Sequence, residues 1–279
     1  MTDATDDEIE ASRAPLLSHL SELRTRLIWT LGGLALAFAA CFGFQDQIFI
    51  FLTNPFVEAM RQAHVPGAQG HDITMINTDA FGFFMTKLKL VLFAAIILSF
   101  PMTAYQGYAF VAPGLYKKER SAALPFLTAA PIMFALGGAF VYFVAMRFAL
   151  VFALQQQVAI HGAEGTTIHV QYLPKVDEYI TLETTLILAF GLFFQMPVVL
   201  SLLARIGVVS ASMLWKANRY AIVGIAAFAA LVAPPDPLSM AIMMIPLYGV
   251  FLISILVVWL IEKREAKSQT PAAQASAAE

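Results

Sequence analysis

Long apolar runs, nearly free of charge and separated by short polar stretches, restrict this chain more than any other feature. The first, about Leu27–Phe44, holds 18 residues without a charge. At 1.5 Å per residue a helix of that length covers roughly 27 Å, close to the hydrocarbon thickness of a bilayer. Others lie at about Phe81–Tyr108, Leu124–Leu154, Thr181–Ala204 and Leu238–Ile261. One more, Tyr220–Val232, has only about 13 residues, too short to cross unaided. Because lipid gives backbone N–H and C=O groups no partners, such runs must be helical. The expected fold class is therefore an all-α integral membrane protein with six transmembrane helices. With 59% hydrophobic and 13% charged residues, the chain is too apolar for an ordinary soluble globule.

Three regions are expected: an acidic disordered leader at 1–14, a transmembrane domain at 15–262 and a disordered cytoplasmic tail at 263–279. In Pro15–Arg26, Leu16, Leu20 and Leu23 lead to Leu27 at spacings of three or four, which predicts an amphipathic helix lying along the membrane surface. Within Asp46–Ala80, the apolar spacing predicts a second amphipathic helix, broken near Asn54-Pro55. Pro101 is expected to kink the second span. The third, with Pro125, Pro131 and Gly137-Gly138, is expected to bend against its neighbours. Gln155–Ile180 reads as a polar connection without a clear period, and Ala233–Pro237 as a tight turn around Asp236.

Lys and Arg placement sets the orientation. With six spans, twelve basic residues fall on one side, among them Arg24, Lys117 and Arg120, against five on the other, Arg61, Lys87, Lys89, Arg147 and Lys175. The positive-inside rule then puts both termini in the cytoplasm. The polar loop Phe110–Arg120 shares that side with the run His19–Leu27.

Several function classes are excluded. A net charge of -2 with scattered basic groups offers no face for nucleic acid. Cys41 stands alone, so no internal disulfide or cysteine-based metal site can form. No HExxH helix, Gly-rich phosphate loop or GxSxG elbow occurs, and His19, His64, His71, His161 and His169 lie outside the spans. No catalysis, metal or cofactor is expected. A secondary transporter of a small solute is the alternative from another class; it would need charges or broken helices at the midplane, where only Gln195 and two prolines stand.

Two carboxylates on the basic side, Glu22 and Glu119, are the candidate binding groups. A carboxylate can take two parallel hydrogen bonds from one guanidinium, each worth about 1.5–3 kcal/mol. Both also have a plainer reading: Glu22 has Arg26 four residues on, and Glu119 sits among Lys117, Lys118 and Arg120. From the residues alone the structural reading is favoured at the other candidates: Gln195 as a helix-packing residue, Asp236 as a turn former, Pro55 as a residue that ends or kinks a helix and Phe110 as an interfacial aromatic.

The stretches HLSELRTRL at 19–27, TNPF at 53–56, MINTD at 75–79, YQGYAFVAPGLYKKER at 105–120, AFVYF at 139–143, FGLFFQMPV at 190–198 and PPDPLS at 234–239 together resemble one family, TatC, the receptor subunit of the twin-arginine translocase. The resemblance implies a cup-shaped six-helix protein of the bacterial cytoplasmic (inner) membrane that recognises the RR motif in signal peptides of folded proteins. It implies TatA and TatB as partners, homo-oligomers within a TatBC complex, and export driven by the proton gradient. On the matching positions, Glu22 and Glu119 resemble the arginine-binding carboxylates, with Arg24, Phe110, Pro113 and Leu115 shaping that site. Pro55 resembles an assembly proline of the first outer loop, and Asp236 the acid of the last outer turn. The short fifth run is similar to short final helices that thin the bilayer. Two departures stand out. Gln195 occupies a fourth-span position where many members have glutamate, and Ala230, Ala233 and Met240 are apolar where some members are polar.

Overall fold

A computed structural model describes the backbone of residues 3–62, 75–111, 117–155, 159–161, 167–169, 175–233 and 236–276, and the side chains of 20–62, 75–110, 127–155, 175–233 and 236–264. Helix α1 (Asp3–Phe42) is followed by α2 (Gln45–Gln62), α3 (Gly82–Val111) and α4 (Lys117–Phe140). A π-helical turn at Val141–Ala145 leads into α5 (Met146–Gln155). Strands β1 (Ala159–His161) and β2 (Thr167–His169) pair antiparallel, Ile160 opposite Ile168. Then come α6 (Val176–Phe193), α7 (Met196–Arg205), α8 (Ala211–Lys216), α9 (Asn218–Val232) and α10 (Pro237–Ser276).

Among the described residues, five helical segments are long and apolar enough to cross a membrane: Leu20–Phe42, Gly82–Phe110, Leu127–Gln155, Val176–Arg205 and Pro237–Arg264. Helix α9, at 15 residues, is the short member, as expected. Bulky apolar side chains stand exposed along these segments, such as Leu36, Ile245 and Leu231 at 75%, 73% and 86%. Water would penalise such surface, whereas lipid accepts it.

Three expectations need correction. The amphipathic run after Pro15 lies inside α1 and continues without a break into the first span. Helix α2 is not broken at Asn54-Pro55; Pro55 lies inside it, buried. The fourth span starts at Val176, earlier than Thr181, and the connection before it contains the β-hairpin strands.

With no hydrophobic drive between helices in lipid, close packing must hold the bundle, and small residues permit it. A Cβ on Gly137 of α4 would meet the Phe190 carbonyl oxygen at 2.7 Å and the Gly191 Cα at 3.0 Å, so α4 and α6 touch backbone to backbone there. Gly33 makes room for Met102 in the same way where α1 lies along α3. The core centres on α6, where Ile180, Leu186 and Phe190 join Phe56, Leu90, Met146 and Leu247, all at most 1% exposed.

Candidate functional site

The site is built from the N-terminal half of α1 and the end of α3. Glu22 and Arg26 are one helical turn apart, the spacing at which side chains meet. Arg26 donates from NH2 to Glu22 Oε1 at 2.5 Å and from Nε to the same oxygen at 3.1 Å. Its NH1 reaches Gln106 Oε1 on α3 at 3.4 Å. The plainer reading of Glu22 is thus present in the fold. It leaves a useful asymmetry: both bonds fall on Oε1, and Oε2 has no partner among the described residues. The pair is half-buried, with side-chain exposures of 25% for Arg26 and 33% for Glu22. Arg24 points outward from the same helix and is exposed.

Phe110, in the last turn of α3, is half-buried. Pro113 and Leu115 lie outside the described residues, and Glu119 is described only as backbone in the first turn of α4. Six Cα steps from Val111 to Lys117 span at most roughly 23 Å. The start of α4 is therefore tethered to the end of α3 that Arg26 contacts.

Gln195 sits where α6 hands over to α7. Its Nε2 donates to the Ala130 carbonyl of α4 at 2.9 Å and, more weakly, to the Gly191 carbonyl at 3.4 Å. Glutamine can make this bond at any pH, and an ionised glutamate could not donate it. Asp236 caps α10: its Oδ1 accepts from the Ser239 N–H at 2.7 Å, its carbonyl accepts from Met240 N at 3.2 Å, and Pro237 occupies the first helical position.

Pro55 explains the opposite rim. Proline has no N–H for the carbonyl four residues back, which here belongs to Phe51. Tyr142, from the π turn, donates its hydroxyl to the Phe51 carbonyl at 2.8 Å. Tyr179 of α6 donates to the adjacent Leu52 carbonyl, also at 2.8 Å. Two tyrosines thus serve the backbone around the proline and fasten α2 across the bundle. Nearby, Val176 N donates to the Ile76 carbonyl at 3.0 Å, tying the MINTD stretch to the start of α6. Lys175, just before it, has its pKa raised by the hydrogen bond to Glu178, 3.2 Å away.

Sequence reasoning missed Glu183. It is completely buried in α6, and neither carboxylate oxygen has a hydrogen-bond partner among the described residues. Tyr179, one turn earlier, is its neighbour but gives its single hydrogen to Leu52. The signal was available: Glu183 is an acid placed seven residues into an apolar segment that begins at Val176.

These features occur on a chain with extensive likeness to known proteins. The profile described as Sec-independent protein translocase protein (TatC) matches residues 18–246. The chain belongs to the TatC family. It is 37% identical to the Sec-independent protein translocase protein TatC of Magnetococcus marinus over 257 residues, covering 92% of this chain and 88% of that one. Against the Escherichia coli K12 TatC the identity is 33% over 241 residues, 86% of each chain. The crystal structure of the twin-arginine translocase receptor TatC superposes with a TM-score of 0.68 at 30% identity, covering 86% of this chain and 97% of that one. A second structure of that receptor, in the detergent DDM, gives 0.70 at 29% identity, covering 86% and 98%. As a TatC-family member the chain is a multi-pass membrane component of a protein translocase, and the solute-transporter alternative finds no support.

Proposed function

We propose that this chain is the receptor and scaffold subunit of a twin-arginine translocase in the bacterial cytoplasmic membrane, with both termini in the cytoplasm. Membership of the TatC family over residues 18–246 carries the reading. Two arginines of a signal peptide dock on Glu22 and Glu119. Arg26 holds Glu22 in place through Oε1, and Oε2 accepts the incoming guanidinium. Arg24, Phe110, Pro113 and Leu115 shape the surroundings. TatA and TatB associate in the membrane, the chain forms homo-oligomers within a TatBC complex, and the proton gradient supplies the energy. The chain catalyses no reaction itself.

The test is site-specific photo-cross-linking of an RR signal peptide to probes along Phe110–Arg120 in membranes. Cross-links are expected in the wild type and lost in Glu119→Ala and in Glu22→Ala, with membrane insertion unchanged. Replacing the arginine pair by lysines is expected to weaken them, since an ammonium does not bridge the two carboxylate oxygens of Glu119 in the guanidinium's fixed fork. Undiminished cross-linking in both alanine variants overturns the assignment.

A further inference from the structure

Two clefts of opposite character meet at the π turn. One is an apolar groove of about 490 Å³, walled by Phe51 and Leu52 of α2, Phe93 and Ile97 of α3 and Phe134 of α4. The other is a polar pocket of about 390 Å³, lined by Asn54, Glu58 and Arg61 of α2 and Arg147 of α5. Tyr142 and Phe143 line both. Tyr142 stacks on Phe51 with ring centroids 4.5 Å apart and planes 5° from parallel, so one pair of rings forms the sill between the clefts.

The polar pocket has a definite charge. Arg147 donates from Nε to Gln62 Oε1 at 3.2 Å, and its NH1 stands 3.7 Å from Glu58 Oε2. Arg61 is exposed and makes no ion pair among the described residues. Among the described residues lining this pocket, two guanidiniums stand against one carboxylate, which leaves one net positive charge beside the apolar groove.

We propose that the paired clefts bind one membrane phospholipid with an anionic headgroup, its acyl chain in the groove and its phosphodiester on Arg61 and Arg147. The charge matches, because a phosphodiester carries one negative charge and guanidinium forks suit its oxygens. A zwitterionic lipid would bring a compensating cation into a pocket that already has net positive charge. Phe51, Leu52, Phe93, Ile97 and Phe134 wall the groove with apolar side chains, a surface that suits a hydrocarbon chain. Position agrees too, since the polar pocket lies at the α2 end of the bundle, where arginine side chains reach the headgroup level.

The experiment is native mass spectrometry of the full chain released from detergent micelles containing equal amounts of phosphatidylglycerol and phosphatidylcholine. The wild type is expected to retain phosphatidylglycerol at least tenfold over phosphatidylcholine. Each arginine near a headgroup contributes roughly fivefold, so the Arg61→Gln/Arg147→Gln double variant is expected to lose that preference. Ala94→Phe, which narrows the groove without touching the arginines, is expected to reduce retention of both lipids. Thermal unfolding of each variant confirms that it is folded. A phosphatidylglycerol with a photoreactive chain terminus is expected to label the stretch from Phe93 to Ile97 or Phe134. Equal retention of the two lipids by the wild type, an undiminished preference in the folded double variant, or labelling confined to other segments overturns the proposal. So does an RR signal peptide that cross-links inside the groove while the lipid stays bound.

Discussion

The two rims of the bundle reach order by different routes. At the Glu22 rim the chemistry is carried by two half-buried charged side chains of α1, joined as an i,i+4 pair, with one longer bond to Gln106 on α3. At the α2 rim order comes from tyrosines on two other elements that donate to carbonyls around a proline. The first arrangement leaves one Glu22 oxygen without a partner among the described residues and can respond to a ligand; the second supplies donors to backbone carbonyls of α2. A receptor needs both, because a binding carboxylate is useful only if the bundle that carries it does not deform.

Perturbations should separate the rims. The largest effect belongs to the charged rim: Glu119→Ala is expected to weaken RR-peptide binding roughly tenfold or more, the loss of one charge-assisted contact, with thermal unfolding unchanged. A matching fall in melting temperature would show that this rim too is structural. Tyr179→Phe should do the reverse, lowering stability by about 0.5–1.5 kcal/mol because the Leu52 carbonyl loses its side-chain donor, with peptide affinity intact in detergent binding assays. Glu183→Leu is expected to raise stability by about 1–2 kcal/mol, since it removes a buried carboxyl group that has no hydrogen-bond partner among the described residues. A loss of stability would mean that the acid has a partner in the membrane. Gln195→Leu, which severs the bond to Ala130, should cost about 1 kcal/mol and impair export more than insertion; export at the unmutated rate would make Gln195 a packing residue alone.

The same contrast explains what could be read from the sequence. Apolar run length located the spans, including the short α9, because each run must satisfy its own backbone within lipid. Motif spacing singled out Glu22 and Asp236, whose bonds to Arg26 and Ser239 are local in sequence. Pro55 was misread because its rescue comes from Tyr142 and Tyr179, 87 and 124 residues further on, and no local pattern records that. Glu183 escaped notice because a single acid near the start of an apolar run reads as boundary, and only tertiary packing shows it to be fully buried. The meeting of Arg61 with Arg147 beside one apolar groove is likewise a product of the fold.

The π turn at Val141–Ala145 has a practical consequence for mapping partner surfaces. A π turn spends one more residue than an α turn, so side chains beyond it are rotated by about 100° relative to an uninterrupted helix. Residues on either side of it that look in phase by a 3.6 count therefore present different faces. A cysteine or tryptophan scan along the third span should show its periodic pattern slip by one position between Phe140 and Met146, and averaging across that slip would erase a genuine contact stripe.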